Sequence, residues 1–220
     1  MSGFQGIPRR AVEFYERLEI DNSREFWEAN KGVYTEFVKA PIVELAALLE
    51  DEFGSFKMFR PNRDVRFSPD KSPYKTHQGA VSEREDGALY YFHVSADGLF
   101  VASGIHVMAA DQLARFRAAI DAEPLGSLLQ EIVGDLAEFD LGGRALATAP
   151  RGFPRDHPRA ALLQHKSLTV AKEFGEPAWM HTPKVVQRIR DTWRRFEPLN
   201  DWLGAHVGPS TLPENRPGRR

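Results

Sequence analysis

A stretch near the middle of the chain, residues 88–107, decides the fold class and reads ALYYFHVSADGLFVASGIHV. Two apolar segments of strand length flank an Asp-Gly pair, which is a strong signal for a β-hairpin. Because side chains alternate along a strand, the first segment presents two faces. One face carries Tyr90, Phe92 and Val94, and the other carries Tyr91, His93 and Ser95. With a third candidate strand at 79–85, GAVSERE, these segments predict an antiparallel meander.

Helical periodicity surrounds this meander on both sides. Before it, helices are predicted at 8–19, from about 22 to 40, and at 41–51. Pro41 is expected to end or kink the second of these helices near Ala40. After the meander, helices are predicted at 110–121, 123–137 and 182–196, with a separate helical turn from Pro198. Short strands are predicted at 56–59, near Ala145 and at 168–171.

The order of helices, then strands, then helices favours an α+β fold over a repeated βαβ unit. We therefore predict a single α+β domain over residues 3–207. A central curved antiparallel sheet would carry helices from the N- and C-terminal regions, packed mainly on one face. Residues 208–220 are polar and contain several prolines and arginines, so they are predicted to form a flexible tail.

The composition is that of an ordinary globular protein, and it excludes several kinds of site. The formal net charge is only −2, so any attraction for phosphate or nucleic acid must come from a local patch. There are no cysteines, which excludes disulfides, thiolate zinc sites and cysteine nucleophiles. No apolar run has the length of a signal peptide or a membrane helix, so we expect a cytoplasmic protein without membrane contact.

The most unusual segment is residues 60–77, RPNRDVRFSPDKSPYKTH. Its five cations are Arg60, Arg63, Arg66, Lys71 and Lys75. One hypothesis is an anion site, because arginine grips phosphate with two hydrogen bonds and prolines reduce the entropy lost on ordering a loop. The other is a structural network, in which Asp64 and Asp70 pair with these cations above packed Phe67 and Tyr74. The sequence leaves both open.

Two Ser-x-x-Lys patterns overlap in this segment, Ser68 to Lys71 and Ser72 to Lys75. That spacing is used by enzymes with an acylated serine. Here a proline follows each serine, which is compatible only with a helix start, and the companion motifs of those enzymes are absent. We therefore do not predict an acyl-transferring serine.

The seven histidines form no metal motif of the usual spacing, so no metal site is assigned. A metal site assembled from distant residues stays open, and its candidates are Asp64, His77, Asp156 and His157. The segment 156–159 by itself is typical of a helix N-terminus, with Asp156 or His157 as the cap and Pro158 in the first turn.

The last predicted helix is strongly basic. Its cations are Lys184, Arg188, Arg190, Arg194 and Arg195, against the single acid Asp191. Such a helix can contact nucleic acid or an acidic partner, although charged residues on an amphipathic helix more often face solvent. No phosphate-loop, dinucleotide or nucleic-acid motif accompanies it.

Four segments together resemble a known family: NSREFWEANKGVY at 22–34, NRDVRFSPDKSPYKTH at 62–77, GIHVM at 104–108 and RGFPRDHPRAALLQHKSLTV at 151–170. In that order they are similar to segments of the domain of unknown function (DUF) 2461, conserved hypothetical proteins of bacteria and fungi. The resemblance spans roughly Gly3 to Leu203 and implies one domain. It supplies no activity and no catalytic residues. Phe26-Trp27 stands where the family pattern has Trp-Phe, a swap that affects packing more than chemistry.

The leading functional hypothesis is an anion-binding pocket for a phosphate-bearing small molecule or nucleotide. Hydrolysis or transfer at phosphorus is the chemistry that such cations would favour. The predicted ligand-binding residues are Arg24, Arg63, Arg66, Lys71 and Lys75, and the candidates for proton transfer are His77, His157 and Asp64. The alternative is a non-enzymatic interaction module that contacts nucleic acid or an acidic partner through basic surfaces. No particular cofactor is indicated.

Overall fold

The structure is a computed structural model, and it describes residues 3–66 and 70–213. Its first elements are helical, as predicted: α1 (Arg9–Ile20), α2 (Arg24–Val33), a π-helical segment (Tyr34–Lys39) and α3 (Ala40–Phe53). Ser23 caps α2, and its Oγ accepts a hydrogen bond from Phe26 N at 3.0 Å. The helix end expected near Ala40 coincides with the boundary between the π-helical segment and α3, and Pro41 lies in the first turn of α3, where its missing N–H costs little.

Six strands among the described residues form one open antiparallel sheet in the order β1-β2-β3-β4-β6-β5, which confirms the α+β class. They are β1 (Lys57–Met58), β2 (His77–Glu83), β3 (Leu89–Ser95), β4 (Gly98–Ile105), β5 (Asp140–Gly142) and β6 (Leu168–Gly175). The predicted meander is therefore β2, β3 and β4. The strand expected near Ala145 lies slightly earlier, as β5, and Ala145 makes an isolated bridge to His165.

The remaining helices are α4 (Ala110–Asp121), α5 (Leu125–Asp135), α6 (Ala160–Leu163), a 3-10 turn (Ala178–His181) and α7 (Lys184–His206). The separate turn expected from Pro198 is wrong, because α7 continues through this proline. Phe196 and Leu199 on either side of it are buried, and burial of such side chains offsets the hydrogen bond that proline removes. No helix in the described part of the chain is both long and apolar enough to cross a membrane.

The chain divides into two compact units. The first unit contains the residues up to Glu83 together with Tyr90–Ala102 and Lys172–Arg194. The second contains Arg84–Leu89, Ser103–Ala171 and the residues from Arg195 onward. The single domain over 3–207 stays a prediction.

The core of the first unit lies on one face of β3. Tyr90, Phe92 and Val94 are buried there, as the alternation predicted. Trp193 of α7 packs on this face, with its ring centroid 5.2 Å from that of Tyr90 and 4.9 Å from that of Phe53 of α3. Helices thus cover this face of the strand, whereas Tyr91 and His93 on the opposite face are half-buried and Ser95 is buried.

Candidate functional site

The charged loop, residues 60–77, has a fixed base. Arg63 N donates a hydrogen bond to Pro73 O at 2.9 Å, and Lys75 N donates to Pro61 O at 2.8 Å. The two ends of the loop therefore run side by side like a short antiparallel pair. This pairing brings the cations at both ends of the loop close together, although they lie far apart along the chain.

Tyr74 anchors this base to the start of α2. Asn22 donates from Nδ2 to Tyr74 O at 3.0 Å, and its Oδ1 accepts from Tyr74 N at 3.1 Å. The Tyr74 ring stacks on Trp27, with centroids 4.2 Å apart and planes inclined by 10°. Both side chains are 6% exposed, so the stack is a buried clamp. The predicted packing of Tyr74 beneath the loop is present, whereas Phe67 and Ser68 lie outside the described residues.

Both acids of the loop pair with arginines. Arg66 donates from Nε and Nη2 to the two carboxylate oxygens of Asp64, at 2.9 and 2.6 Å. These hydrogen bonds from Arg66 hold the pKa of Asp64 at about 2. Arg63 forms an ion pair with Asp70. The pairs expected of a structural network are therefore present, and they neutralise two of the predicted ligand-binding residues.

The two lysines of the predicted set also have local contacts. Lys71 Nζ donates to Val65 O at 2.9 Å. Lys75 Nζ lies 5.1 Å from the centroid of the Phe59 ring, a cation–π contact. Burial, with Arg60 and Arg63 nearby, lowers the pKa of Lys75. Lys75 therefore lies where positive charge is concentrated.

A cavity of about 740 Å³ opens between α2, the π-helical segment and the base of the loop. Its lining residues are Arg24, Trp27, Glu28, Lys31, Tyr34, Thr35, Lys39, Met58, Phe59, Arg60, Pro61, Asn62, Tyr74 and Gln78. Of the predicted ligand-binding set, the structure brings only Arg24 into this lining.

The rim of the cavity is cationic. Arg24, Lys31, Lys39 and Arg60 line it, and Glu28 is the single carboxylate among the described lining residues. These four cations are exposed side chains. Within residues 3–66 and 70–213, none of the four lies within 4 Å of a carboxylate oxygen. Their charges are therefore free to act on an incoming anion.

The floor of the cavity is neutral and internally bonded. Tyr34 Oη donates to Gln78 Oε1 at 2.6 Å, and burial raises the pKa of Tyr34 to about 12. Gln78 Nε2 in turn donates to Phe59 O at 2.9 Å and to Gly79 O at 3.1 Å. Because the amide of Gln78 already has these partners, a ligand anion would be held by the rim cations rather than by the floor.

The candidates for proton transfer lie outside this lining. His77 precedes Gln78 on β2, so its side chain points to the other face of the strand. Its ring centroid lies 4.9 Å from that of His93, and burial, with Lys75 and Arg63 nearby, lowers its pKa. Asp64 is held by Arg66, as described above.

His157 belongs to the second unit and has a structural environment. Its Nδ1 accepts a hydrogen bond from Arg159 N at 3.0 Å, so Nε2 carries the proton and donates to Asp121 Oδ1 at 3.1 Å. Arg159 is 5% exposed and donates to Ile120 O at 2.6 Å. Glu123 Oε1 accepts from the same guanidinium at 2.5 Å. The segment does precede a helix, but α6 begins at Ala160 with Arg159 as its N-cap, so the expected cap at Asp156 or His157 is wrong. Both ring nitrogens of His157 are engaged.

The described residues support no metal site. Nowhere in 3–66 and 70–213 do three histidine, cysteine, aspartate or glutamate side chains converge in a way that could hold a metal ion. The open possibility of an assembly from Asp64, His77, Asp156 and His157 thus gains no support.

The cations of α7 are largely paired. Arg190 bonds Asp51 at 2.6 Å, and Arg194 bonds both carboxylate oxygens of Glu52 at 2.6 and 2.9 Å. Arg195 bonds Glu138 at 2.5 Å, and Arg188 lies 5.8 Å from the centroid of the Trp179 ring. Much of the positive charge on this helix is thus already neutralised. The arginines at 216, 219 and 220 lie outside the described residues.

Sequence reasoning missed Lys31 and Lys39 as parts of a site. The signal was present, because Arg24, Glu28, Lys31 and Thr35 recur every three or four residues and so share one face of a helix. What the sequence did not show is that the base of the charged loop folds back against this face.

No curated protein and no solved structure matches the chain. The profile of a family described as conserved hypothetical protein (DUF2461) matches residues 10–202 of the 220, which include the α2 face, the charged loop and the segment around His157. The match covers most of the chain and agrees with the resemblance seen in its segments. The chain therefore belongs to the DUF2461 family of conserved hypothetical proteins.

Proposed function

We propose that the cavity beside α2 binds a phosphate-bearing small molecule or nucleotide. The observation that carries this proposal is the unpaired cation set of the rim, Arg24, Lys31, Lys39 and Arg60. A concave wall in which four cations outnumber the single described carboxylate, Glu28, focuses a positive field and raises the local concentration of anions. Arginine and lysine together suit phosphate, since the guanidinium binds two oxygens and the ammonium adds a compact charge.

The inner lining suits a ligand that also carries a flat or apolar part. Trp27, Tyr34, Phe59 and Tyr74 contribute rings, and Met58 adds an adaptable thioether. The volume of about 740 Å³ lies within the range of small-molecule sites. A nucleotide has both features, an anionic phosphate for the rim and a base for the rings.

Hydrolysis or transfer at phosphorus is the reaction that this cation set would favour, because cations stabilise the charge that develops on phosphoryl oxygens. Glu28 is the described lining residue that would accept a proton from an attacking water. Glu28→Gln should lower turnover by about 10²- to 10⁴-fold, the usual contribution of a general base, while leaving phosphate binding intact or stronger, since it removes the single carboxylate among the described lining residues.

The proposal is tested by binding of inorganic pyrophosphate and ADP to the full chain, measured by calorimetry and thermal shift. Saturating ligand, at about a hundred times its Kd, should stabilise the protein by about 2.7 kcal/mol. The double variant Arg24→Gln, Arg60→Gln should weaken binding by about 150-fold or more, because each of the two lost charged hydrogen bonds contributes roughly 1.5–3 kcal/mol.

Two further variants make this test specific. The matched control is Arg151→Gln, Arg155→Gln, which removes two exposed arginines of the second unit and should leave Kd within about twofold. Arg63→Gln, Arg66→Gln removes two loop arginines that already have carboxylate partners, so a smaller loss than at the rim is expected. Equal losses in the rim and control variants, or no ligand shift at all, would refute the cavity as the site.

The alternative, a non-enzymatic module that contacts nucleic acid or an acidic partner through the basic last helix, has less support. Arg190, Arg194 and Arg195 already bond carboxylates of the same chain. A partner would have to compete with these intramolecular pairs, whereas the cavity cations have no described carboxylate to displace.

A further inference from the structure

A group of rings lies on the face of the sheet opposite the Trp193 core. It consists of Phe59, His77, Tyr91, His93 and Phe100, which we call the ring ladder, and each member is half-buried. Successive centroids lie 5.8 Å apart for Phe59 and Tyr91, 5.5 Å for Tyr91 and His93, and 4.8 Å for His93 and Phe100. The last two rings are stacked, with planes inclined by 16°. The ladder is thus a row of neighbouring rings from Phe59, just after β1, to Phe100 of β4, and successive ring planes are inclined by 32° for Phe59 and Tyr91 and by 58° for Tyr91 and His93.

Tyr91 lies against the sheet instead of standing up from it. A Cβ atom added at Gly79 would lie 2.8 Å from Tyr91 Oη and 3.0 Å from Tyr91 Cε2, so the phenol ring passes directly over this glycine. The hydroxyl is fixed by His93, whose Nδ1 lies 3.1 Å from it. Side chains in strands ordinarily stand roughly perpendicular to the sheet. The tip of the ring thus occupies the space that a side chain at position 79 would fill, and glycine at this position leaves the ring uncovered from that side.

The imidazoles of the ladder are neutral rings at physiological pH. Burial lowers the pKa of His93 to about 3, and burial with nearby Lys75 and Arg63 lowers that of His77. A neutral imidazole costs less to desolvate than an imidazolium, so it stacks more readily on a flat π system. The ladder therefore combines three aromatic rings with two uncharged heteroaromatic ones.

The two ends of the ladder carry opposite charges. At one end Lys75 lies over Phe59, and Arg63 acts on His77 electrostatically. At the other end a cavity of about 230 Å³ opens beside His93 and Phe100, and its lining includes the carboxylates Asp97 and Glu173. A ligand that suits this strip has an anionic group, flat rings and an amine edge, in that order.

We propose that the ring ladder is a stacking platform for the bases of a single-stranded nucleic acid. A backbone phosphate would lie at Lys75, bases would stack on Tyr91 and Phe100, and the amine edge of one base would meet Asp97 or Glu173. Aromatic platforms on a sheet face with flanking cations bind single strands in this way, two or three bases at a time. A carboxylate accepts from the exocyclic amine of cytosine, which thymine and uracil lack.

This inference goes beyond the cavity and does not need the cavity to bind a phosphate. Its residues lie on the other face of β2 from Gln78, and only Phe59 is common to both sites. The two proposals therefore fail separately, since loss of Phe100 should leave pyrophosphate binding unchanged.

The test is fluorescence anisotropy with the full chain and a labelled oligodeoxycytidylate of about 12 nucleotides, with the ribonucleotide and thymidine versions and a duplex as comparators. Phe100→Ala and Tyr91→Ala should each weaken binding by about 5- to 150-fold, the effect of losing one base stack. Phe100→Leu, which keeps an apolar side chain without the π face, should weaken it as well. The matched control is Phe37→Ala, because Phe37 is also half-buried but packs under Arg10 on the helices.

The two charged ends give further readouts. Lys75→Met should reduce the slope of log affinity against log salt by about one, as expected for one lost phosphate contact. Asp97→Asn with Glu173→Gln should remove the preference for cytidine over thymidine strands. Gly79→Ala, which displaces the Tyr91 ring, should weaken binding without removing any ring.

Four outcomes would overturn the proposal. Two concern the nucleic acid: the absence of binding to every single strand, and equal affinity for single strand and duplex. Two concern the variants: wild-type affinity in folded Phe100→Leu and Tyr91→Ala proteins, and a loss of affinity in Phe37→Ala equal to that in Phe100→Ala. A dimer that Phe100→Leu converts to monomer in sedimentation would show that a second copy of this chain covers the ladder, and would overturn it as well.

Discussion

The charged loop and the cavity side of α2 lie in the same unit and use their cations in opposite ways. In the loop, Arg66 binds Asp64 through two hydrogen bonds and Arg63 pairs with Asp70. On α2, Arg24 and Lys31 have no carboxylate within 4 Å among the described residues, although Glu28 lies between them in sequence. The two arginines nearest to the acids of the loop are therefore neutralised, whereas Arg60 at the start of the loop, like Arg24 and Lys31, has no carboxylate within 4 Å among the described residues.

This difference shows why charge density along a sequence is a poor guide to an anion site. A loop that is rich in arginine and also contains aspartate supplies its own counterions, and short irregular segments let them meet. A helix holds its side chains at fixed angles, so a carboxylate three or four residues away need not reach its cationic neighbour. An anion site is better indicated by a cation that has no carboxylate within ion-pair distance.

The largest expected effect concerns the clamp that holds the loop beside α2. Tyr74→Ala removes a ring that is 6% exposed and stacked on Trp27, so we expect a loss of about 3 kcal/mol in the free energy of unfolding. Because the same stack positions Arg60 on the cavity rim, pyrophosphate affinity should fall with it. Urea denaturation and calorimetry measure the two effects.

Tyr74→Phe is the matched control, since it keeps the ring and the backbone bonds to Asn22. It should retain wild-type stability and affinity. A loss below about 1 kcal/mol in Tyr74→Ala would mean that the loop is held by its charge pairs rather than by the clamp. The charge pairs of the loop would then be its main structural contacts, and the comparison with α2 would have to be made on that basis.

The α+β class was predictable because its signals are local. Alternating apolar residues around Asp97-Gly98 specify the hairpin, and Ser23 caps α2 through a bond to a residue only three positions away. Continuation of α7 through Pro198 was not predictable in this way. It depends on the burial of neighbours such as Phe196 and Leu199, and the ring of Phe196 packs against Phe139, which lies far away along the chain.

The candidate site was predictable only in part, because it forms through long-range contacts. Asn22 and Tyr74 are 52 positions apart, and their hydrogen bonds bring the base of the loop against α2. Without that closure, Lys31 and Lys39 are ordinary solvent-facing cations of an amphipathic helix. Arg24 was named among the predicted ligand-binding residues, whereas Lys31 in the same segment and Lys39 were not.

A smaller effect tests whether the loop pair is local and solvent-exposed. Arg66→Ala should raise the pKa of Asp64 from about 2 toward its ordinary value of 3.8, because the hydrogen bonds from Arg66 are the main cause of the depression. Arg60→Ala should raise it less, since Arg60 acts only through its charge. NMR titration of the Asp64 carboxyl measures both changes.

The sign of the linked stability follows from the direction of this shift. A carboxyl with a depressed pKa in the folded state stabilises the fold above its ordinary pKa, and that contribution is lost as the pH falls toward about 2. Because Arg66 is 76% exposed, the contribution is small and Arg66→Ala should leave the melting temperature almost unchanged. A large drop at neutral pH would show that the pair is a structural lock.

The smallest expected effect tests whether loop cations still act at a distance. Lys75→Met removes a positive charge that helps to lower the pKa of His77, so this pKa should rise in the variant. It should stay below the ordinary value of 6.5, because burial is the larger cause and remains. The folded protein then resists protonation of His77 less, so the loss of stability as the pH falls below 6.5 should be smaller in the variant.

Lys71→Met is the control, since Lys71 bonds Val65 O and is not among the charges that lower this pKa. The same His77 pKa in the wild type, Lys75→Met and Lys71→Met, measured by NMR titration, would show that the loop charges are fully screened. Only the unpaired cations of α2 and Arg60 would then count as a source of positive field.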